Sequence, residues 1–236
     1  MYSRTIFVAC SLLIAIGAAS SVAVARAQST PVAGCPQATP TAPTIAPGTP
    51  AAGAGGHVPL AHGEALLWGA GEHGVVLVHG AVYDAASWTS QAEAMAARGM
   101  IVLAVEELSA EAVLDGVDLL RGPCGVRSIA LIGASAGTGP VLQAAAREPE
   151  AVDQIIVLSG SGDVSQLDDD PKLFVASEGE GIADTTRQMA DEAPGDDNEA
   201  LIVPGDAHAQ AIFRTEEGDA LLTAIIAWLE ETRSTD

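Results

Sequence analysis

SIALIGASAGTGPVLQAAAR, residues 128–147, is the stretch on which the fold turns. It opens with an apolar run of strand length at 128–132, and a helical pattern runs from Gly137 to Arg147. Between them stands Gly133-Ala134-Ser135-Ala136-Gly137, a G-x-S-x-G motif in a strand–turn–helix setting. A tight turn at this point lifts the serine above the end of its strand on strained backbone. A side chain two residues to either side would collide with its neighbours, and Gly133 and Gly137 have none. The competing reading is a plain strand-to-helix turn with a capping serine, so the other strand ends have to decide.

Working outward, short apolar runs alternate with amphipathic segments. Strand candidates lie at 65–68, 75–78, 101–105, 128–132, 154–158, 173–176 and 200–203, with helix candidates at 86–97, 110–120, 137–147, 184–191 and 216–233. Continuous apolar runs suit strands covered on both faces, and strand–helix alternation implies right-handed crossovers. The expected fold class is α/β: an open, mostly parallel twisted sheet with helices on both faces. Ligands of such sheets bind beyond the carboxyl ends of the strands.

Three further strand ends carry useful residues. The run at 75–78 leads into His79-Gly80-Ala81-Val82-Tyr83, where Gly80 lets the chain turn. The N–H groups of Ala81 and Ala136 would together form an oxyanion hole. His79 reads as a buried, hydrogen-bonded residue that shapes this loop, and Tyr83 either enters the pocket or covers it. Beyond the last strand comes Pro204-Gly205-Asp206-Ala207-His208, and His208 is the one histidine C-terminal to Ser135. A histidine presented from that loop can reach a serine at the centre of the sheet and act as its general base. The loop after 173–176 reads Ser177-Glu178-Gly179-Glu180-Gly181-Ile182-Ala183-Asp184. Glu180, at a loop tip between glycines, is the expected acid; Asp184, near a helix start, is the alternative. The acidic runs 168–170 and 196–197 lack calcium-loop spacing and read as solvated loops. The cysteines lack zinc-ligand spacing, so no metal site is expected.

The 236 residues are 48% hydrophobic and carry 10 Lys+Arg against 31 Asp+Glu, a formal net charge of -21. No basic stripe is present to neutralise phosphates or to dock on an anionic membrane, which excludes nucleic-acid binding and basic-patch docking. Aromatic residues make up 3%, too few for a stacking platform. Residues 1–27 combine a basic start, an uncharged run at 6–24 and Ala25-Arg26-Ala27, the pattern of an export signal peptide. An uncleaved membrane anchor is the rival reading. A lipid on Cys35, within Val32-Ala33-Gly34-Cys35, is another, although a polar stretch separates it from the apolar run. Residues 28–56 hold no charge, six prolines and five threonines and read as an extended tether. Residues 57–236 are then one catalytic-sized domain. Cys35 and Cys124 remain after signal removal; they either pair in an oxidising compartment or are unrelated.

The ordered set of His79-Gly80 loop, Ser135 turn, acid loop and His208 resembles the α/β-hydrolases. The segment VVLVHGAVYDAASWTSQAEAMAARGMIVLAVE, residues 75–106, is similar to the opening of small lidless serine esterases and of the dienelactone-hydrolase-like branch. The resemblance implies Ser135 as nucleophile, His208 as base, and Ala81 and Ala136 as oxyanion donors. The acid loop in that family commonly reads G-E-x-D, whereas here it reads Ser177-Glu178-Gly179-Glu180. Dienelactone hydrolases proper use a cysteine where this chain has Ser135, which argues against that particular activity. Residues 159–172 are a short acidic loop where many relatives insert a lid. The implied activity is hydrolysis of short-chain or neutral carboxylic esters, small molecules, through an acyl-enzyme and without a cofactor. A non-catalytic binding protein on the same fold, and an acyltransferase or thioesterase using the same serine, are the readings from other classes.

Overall fold

The computed structural model describes residues 34–36 and 55–233. Eight strands form one sheet: β1 Gly56–Leu60, β2 Gly63–Gly69, β3 His73–Val78, β4 Met100–Val105, β5 Ser128–Ala134, β6 Gln154–Leu158, β7 Lys172–Ser177 and β8 Asn198–Val203. Their order across the sheet is β1-β2-β4-β3-β5-β6-β7-β8. From β4 to β8 every neighbouring pair is parallel, while β1 and β2 form an antiparallel edge. The sheet is therefore mostly parallel and open, as the alternation of apolar runs implies.

Strand β1 is an addition to the expected set. It lies in a glycine-rich border without a continuous apolar run, and Pro59 argues against a central strand. It pairs at the edge, where a residue without an N–H is tolerated, and its alternating burial places Val58 in the core.

Side chains on alternate positions of the central strands feed two cores. Val76, Val78, Leu103, Leu131 and Val157 pack beneath α2 Ala110–Arg121, α3 Thr138–Arg147 and α4 Ala183–Glu192. Val75, Leu77, Val102, Ile132 and Val175 pack on the other face, beneath α1 Thr89–Ala96 and α5 Gly218–Glu231. Every residue of β3, β4, β5, β6 and β7 is buried, which explains why these strands read as unbroken apolar runs. Helix α2 starts on Ser109, whose side chain accepts the Ala112 N–H.

The one lysine, Lys172, opens β7 with no exposed surface. Its ammonium donates to the carbonyls of Asp168, Asp170 and Pro194. Beside it the Asp170 carboxyl is pushed up to about 7, chiefly by burial and then by the neighbouring Asp168.

Cys124 lies just beyond α2 and is bonded to Cys35, 89 residues earlier in the chain. The two cysteines thus pair. The export signal, the anchor alternative and all of the tether but residues 34–36 and 55–56 lie outside the described residues. Among the described residues, no helix is long and apolar enough to cross a membrane.

Candidate active site

The parallel register brings several strand ends level. Val78 of β3 stands opposite Gly133, Ala134 opposite Leu158, Leu158 opposite Val175, and Ser177 opposite Val203. The loops leaving these strands therefore share one rim.

Ser135 is the first residue after β5 and takes φ +50°, flanked by extended Ala134 and the helical turn Ser135–Gly137 that leads into α3. The left-handed conformation costs a residue with a Cβ about 1–2 kcal/mol. Neighbouring backbone leaves no room for side chains at either glycine. A Cβ on Gly133 would lie 2.8 Å from the Gly137 carbonyl oxygen; one on Gly137 would lie 2.5 Å from that of Val78 and 2.7 Å from that of His79.

Ser135 Oγ lies 2.8 Å from His208 Nε2, and His208 Nδ1 lies 2.8 Å from Glu180 Oε2. The carboxylate is 6% exposed and the imidazole 54% exposed, so the acid is held inside while the ring faces outward. Glu180 Oε1 accepts the Ser177 N–H at 2.7 Å and the Ser159 hydroxyl at 2.6 Å. With its lone pairs engaged as acceptors, Glu180 assigns the His208 proton to Nδ1 and leaves Nε2 to accept from Ser135. Asp184 stands apart from this chain. It lies in the first turn of α4, fully exposed, with Arg187 at 2.8 Å.

The loops that carry the acid and the histidine are bound to each other. Glu178 and Gly179 N–H donate to the carbonyls of Val203 and Gly205 at 2.8 and 2.7 Å. Ser177 Oγ donates to Ala207 O at 2.6 Å, and the Ala209 N–H donates to Ser159 Oγ at 2.9 Å. Ser135, Ser159 and Ala209 are the non-glycine residues with positive φ among those described, at 50°, 47° and 50°. All three belong to this one network, so the backbone strain of the described residues is concentrated where Ser135, His208 and Glu180 meet.

The loop after β3 closes the site from the other side. A Cβ placed on Gly80 would lie 3.5 Å from Ser135 Cβ and 3.5 Å from Tyr83 Cδ2, so the loop backbone runs against the serine. His79 is buried as expected, with Nδ1 2.8 Å from Gly80 O and Nε2 2.9 Å from Glu106 O. The Ala81 N–H has no acceptor among the described residues, and the Ala136 N–H stands in the first turn of a helix, where amides lack intrahelical partners. Tyr83 is half-buried, with the Arg214 guanidinium 5.3 Å from its ring centre. Val82, 88% exposed, stands beside it.

The remaining histidines are elsewhere. His73 begins β3 at the opposite end of the sheet, bonded to Gln154 at 2.9 Å, and burial holds its pKa below the usual value. His62 pairs with Asp115, and His57 lies near Glu64. Among the described residues no group of His, Cys, Asp and Glu is arranged to hold a metal ion.

Sequence reasoning passed over Ser159, Ser177 and Gln210. Ser159 is the first residue beyond β6, so the strand-end signal that marks the β3, β5 and β7 loops could have found it too. Gln210 gives no signal in the sequence.

No family model matches the sequence, and no curated protein does. Solved structures do. A monoacylglycerol lipase from Paleococcus ferrophilus superposes with a TM-score of 0.59 at 16% identity, covering 70% of this chain and 97% of its own. The dienelactone hydrolase of Anabaena variabilis gives 0.61 at 17%, covering 76% and 97%. The metagenomic carboxylesterase EstE1 gives 0.63 at 14%, covering 75% and 88%. At such identities the likeness speaks for architecture: the chain has the α/β-hydrolase fold.

Proposed function

We propose that the protein is an exported serine hydrolase that cleaves short-chain or neutral carboxylic esters. The observation that carries this reading is the unbroken chain Ser135 Oγ–His208 Nε2, His208 Nδ1–Glu180 Oε2, each link at 2.8 Å. His208 takes the serine proton as Ser135 attacks the ester carbonyl, and Glu180 orients the ring and balances the imidazolium. The tetrahedral oxygen is received by the N–H groups of Ala81 and Ala136, each such donor being worth about 100- to 1000-fold in rate. The imidazolium then protonates the departing alcohol, and water, activated by the same ring, cleaves the acyl-enzyme. No step needs a metal or organic cofactor.

Two features support the substrate class. The connection from β6 to β7, residues 159–171, carries no helix or strand, so no lid is built there. The formal charge of -21 repels anionic substrates over a screened range of about 8–10 Å. The disulfide between Cys35 and Cys124 supports export, because such bonds persist in oxidising compartments.

The test is intact-mass detection of a fluorophosphonate adduct on the wild-type protein and on Ser135→Ala, followed by a screen of neutral esters of increasing acyl length. A single adduct absent from the variant, with turnover falling as the chain lengthens, is the expected result. No adduct on a folded wild-type protein would overturn the reading.

A further inference from the structure

A trans peptide holds its C=O and N–H on opposite sides of one plane, so whatever grips the carbonyl aims the N–H. The Gly80 carbonyl accepts the Tyr83 N–H at 3.0 Å and faces His79 Nδ1 at 2.8 Å. That grip sets the direction of the Ala81 N–H. The preceding peptide is held through its own N–H: Gly80 N–H donates to Gln210 Oε1 at 2.8 Å.

Gln210 is buried, and its Nε2 donates to Ser87 Oγ at 2.8 Å. Ser87 Oγ in turn donates to the carbonyl of Asp84 at 2.5 Å, while the Ser87 N–H is received by the Asp84 carboxylate at 2.9 Å. The amide of Gln210 therefore has one allowed orientation. A backbone N–H requires the oxygen on the Gly80 side, and a hydroxyl already committed as donor to Asp84 requires the NH2 on the Ser87 side.

Gln210 lies two residues beyond His208, in the short helical segment Ala209–Arg214. Phe213 against Trp88, with ring centres 6.0 Å apart, and Arg214 over Tyr83 continue the same seam. Those contacts are less directional than the hydrogen bond from Gly80 N–H to the Gln210 amide.

We propose that Gln210 is a positioning residue that fastens the oxyanion loop at Gly80–Ala81 to the segment carrying His208, so that base and oxyanion donor meet Ser135 as one rigid unit. The proposal rests on the serine-hydrolase reading of the site. Gln210 does not touch the substrate; it acts through the peptide planes on either side of Gly80. Loss of its oxygen frees the loop to rotate, which weakens the transition state and leaves ground-state binding alone.

The experiment compares the wild-type protein with Gln210→Met, close in volume but without an acceptor, and Gln210→Glu, which retains one. It uses a p-nitrophenyl ester, with the Ala81 amide monitored by NMR before and after phosphonylation of Ser135. Gln210→Met should lower kcat about 10- to 100-fold, part of the loss on deleting a whole oxyanion donor, with KM and the shape of the pH profile unchanged. Gln210→Glu keeps an acceptor for the Gly80 N–H but loses the NH2 that Ser87 Oγ receives, so it should recover only part of kcat. The downfield shift of the Ala81 amide on phosphonylation should appear in the wild type and vanish in Gln210→Met. Wild-type kcat in Gln210→Met, a rise in KM instead, or an unchanged Ala81 shift would each overturn the proposal. Should Gln210→Met not fold, Ser87→Ala removes only the outer anchor of the amide; it should lower kcat several-fold at constant KM, and wild-type kcat there would overturn the proposal equally. Absence of any adduct on folded wild-type protein would instead strike the underlying serine-hydrolase reading, so the two failures are separable.

Discussion

Glutamine at position 180 should damage the reaction more than alanine does, although it keeps the shape of the side chain. Glu180 Oε1 receives the Ser177 N–H at 2.7 Å and the Ser159 hydroxyl at 2.6 Å, while Oε2 faces His208 Nδ1 at 2.8 Å. A backbone N–H can only donate, so a glutamine must place its oxygen towards Ser177 and its NH2 towards His208. An NH2 facing Nδ1 makes that nitrogen an acceptor and drives the ring proton to Nε2. The ring then donates towards Ser135 Oγ and cannot accept its proton. A wrong-tautomer triad of this kind loses about 10⁴-fold in kcat, or about 5 kcal/mol of transition-state stabilisation. Glu180→Ala, with no NH2 to dictate the tautomer, should retain more activity than Glu180→Gln. Asp184→Asn is the control: its exposed carboxylate pairs only with Arg187, a contact of the weak surface kind, so kcat should stay within about two-fold. Steady-state hydrolysis of a p-nitrophenyl ester, with thermal melts to verify folding, reads all three. Wild-type turnover in Glu180→Gln, or a glutamine variant faster than the alanine one, would refute the reasoning.

Other consequences can be checked by unfolding. Ser159→Ala removes a donor to Glu180 and orphans the Ala209 N–H; urea titration should show a loss of about 3–5 kcal/mol, and a change below about 1 kcal/mol would contradict the bonding described. Cys124→Ser opens the bridge to Cys35 and should cost about 2 kcal/mol, the low end of the usual range, because it joins a segment outside the sheet. Asp170 binds its proton more tightly folded, at about 7 against 3.8, because of burial and then Asp168. Its contribution to stability is therefore full below about pH 4 and is lost as pH rises through 7. The unfolding midpoint of wild type should fall relative to Asp170→Asn across that window; parallel curves would exclude the effect.

Much of this was legible in the chain itself. Continuous apolar runs marked the strands because β3 to β7 are covered on both faces, and burial leaves that mark on each residue independently of the rest. Strand β1 escaped because an edge strand with a proline carries no such mark. The G-x-S-x-G turn was legible for a steric reason: only glycine fits where a Cβ would meet backbone at 2.5–2.8 Å. Choosing between Glu180 and Asp184 was a different matter. Both lie in one short acidic stretch, and composition cannot tell a carboxylate turned inward, 6% exposed against His208, from one turned out to Arg187. The disulfide likewise depends on two cysteines 89 residues apart meeting. Ser159 and Gln210 are ordinary polar residues in sequence and acquire partners only when loops from different strands share one rim. Sequence alone determined the buried strands, the helices between them and the residue types at their ends, because sterics and burial act locally. Tertiary structure alone decided which carboxylate, which hydroxyl and which amide complete the site, because a hydrogen bond between distant residues exists only once the chain has closed around it.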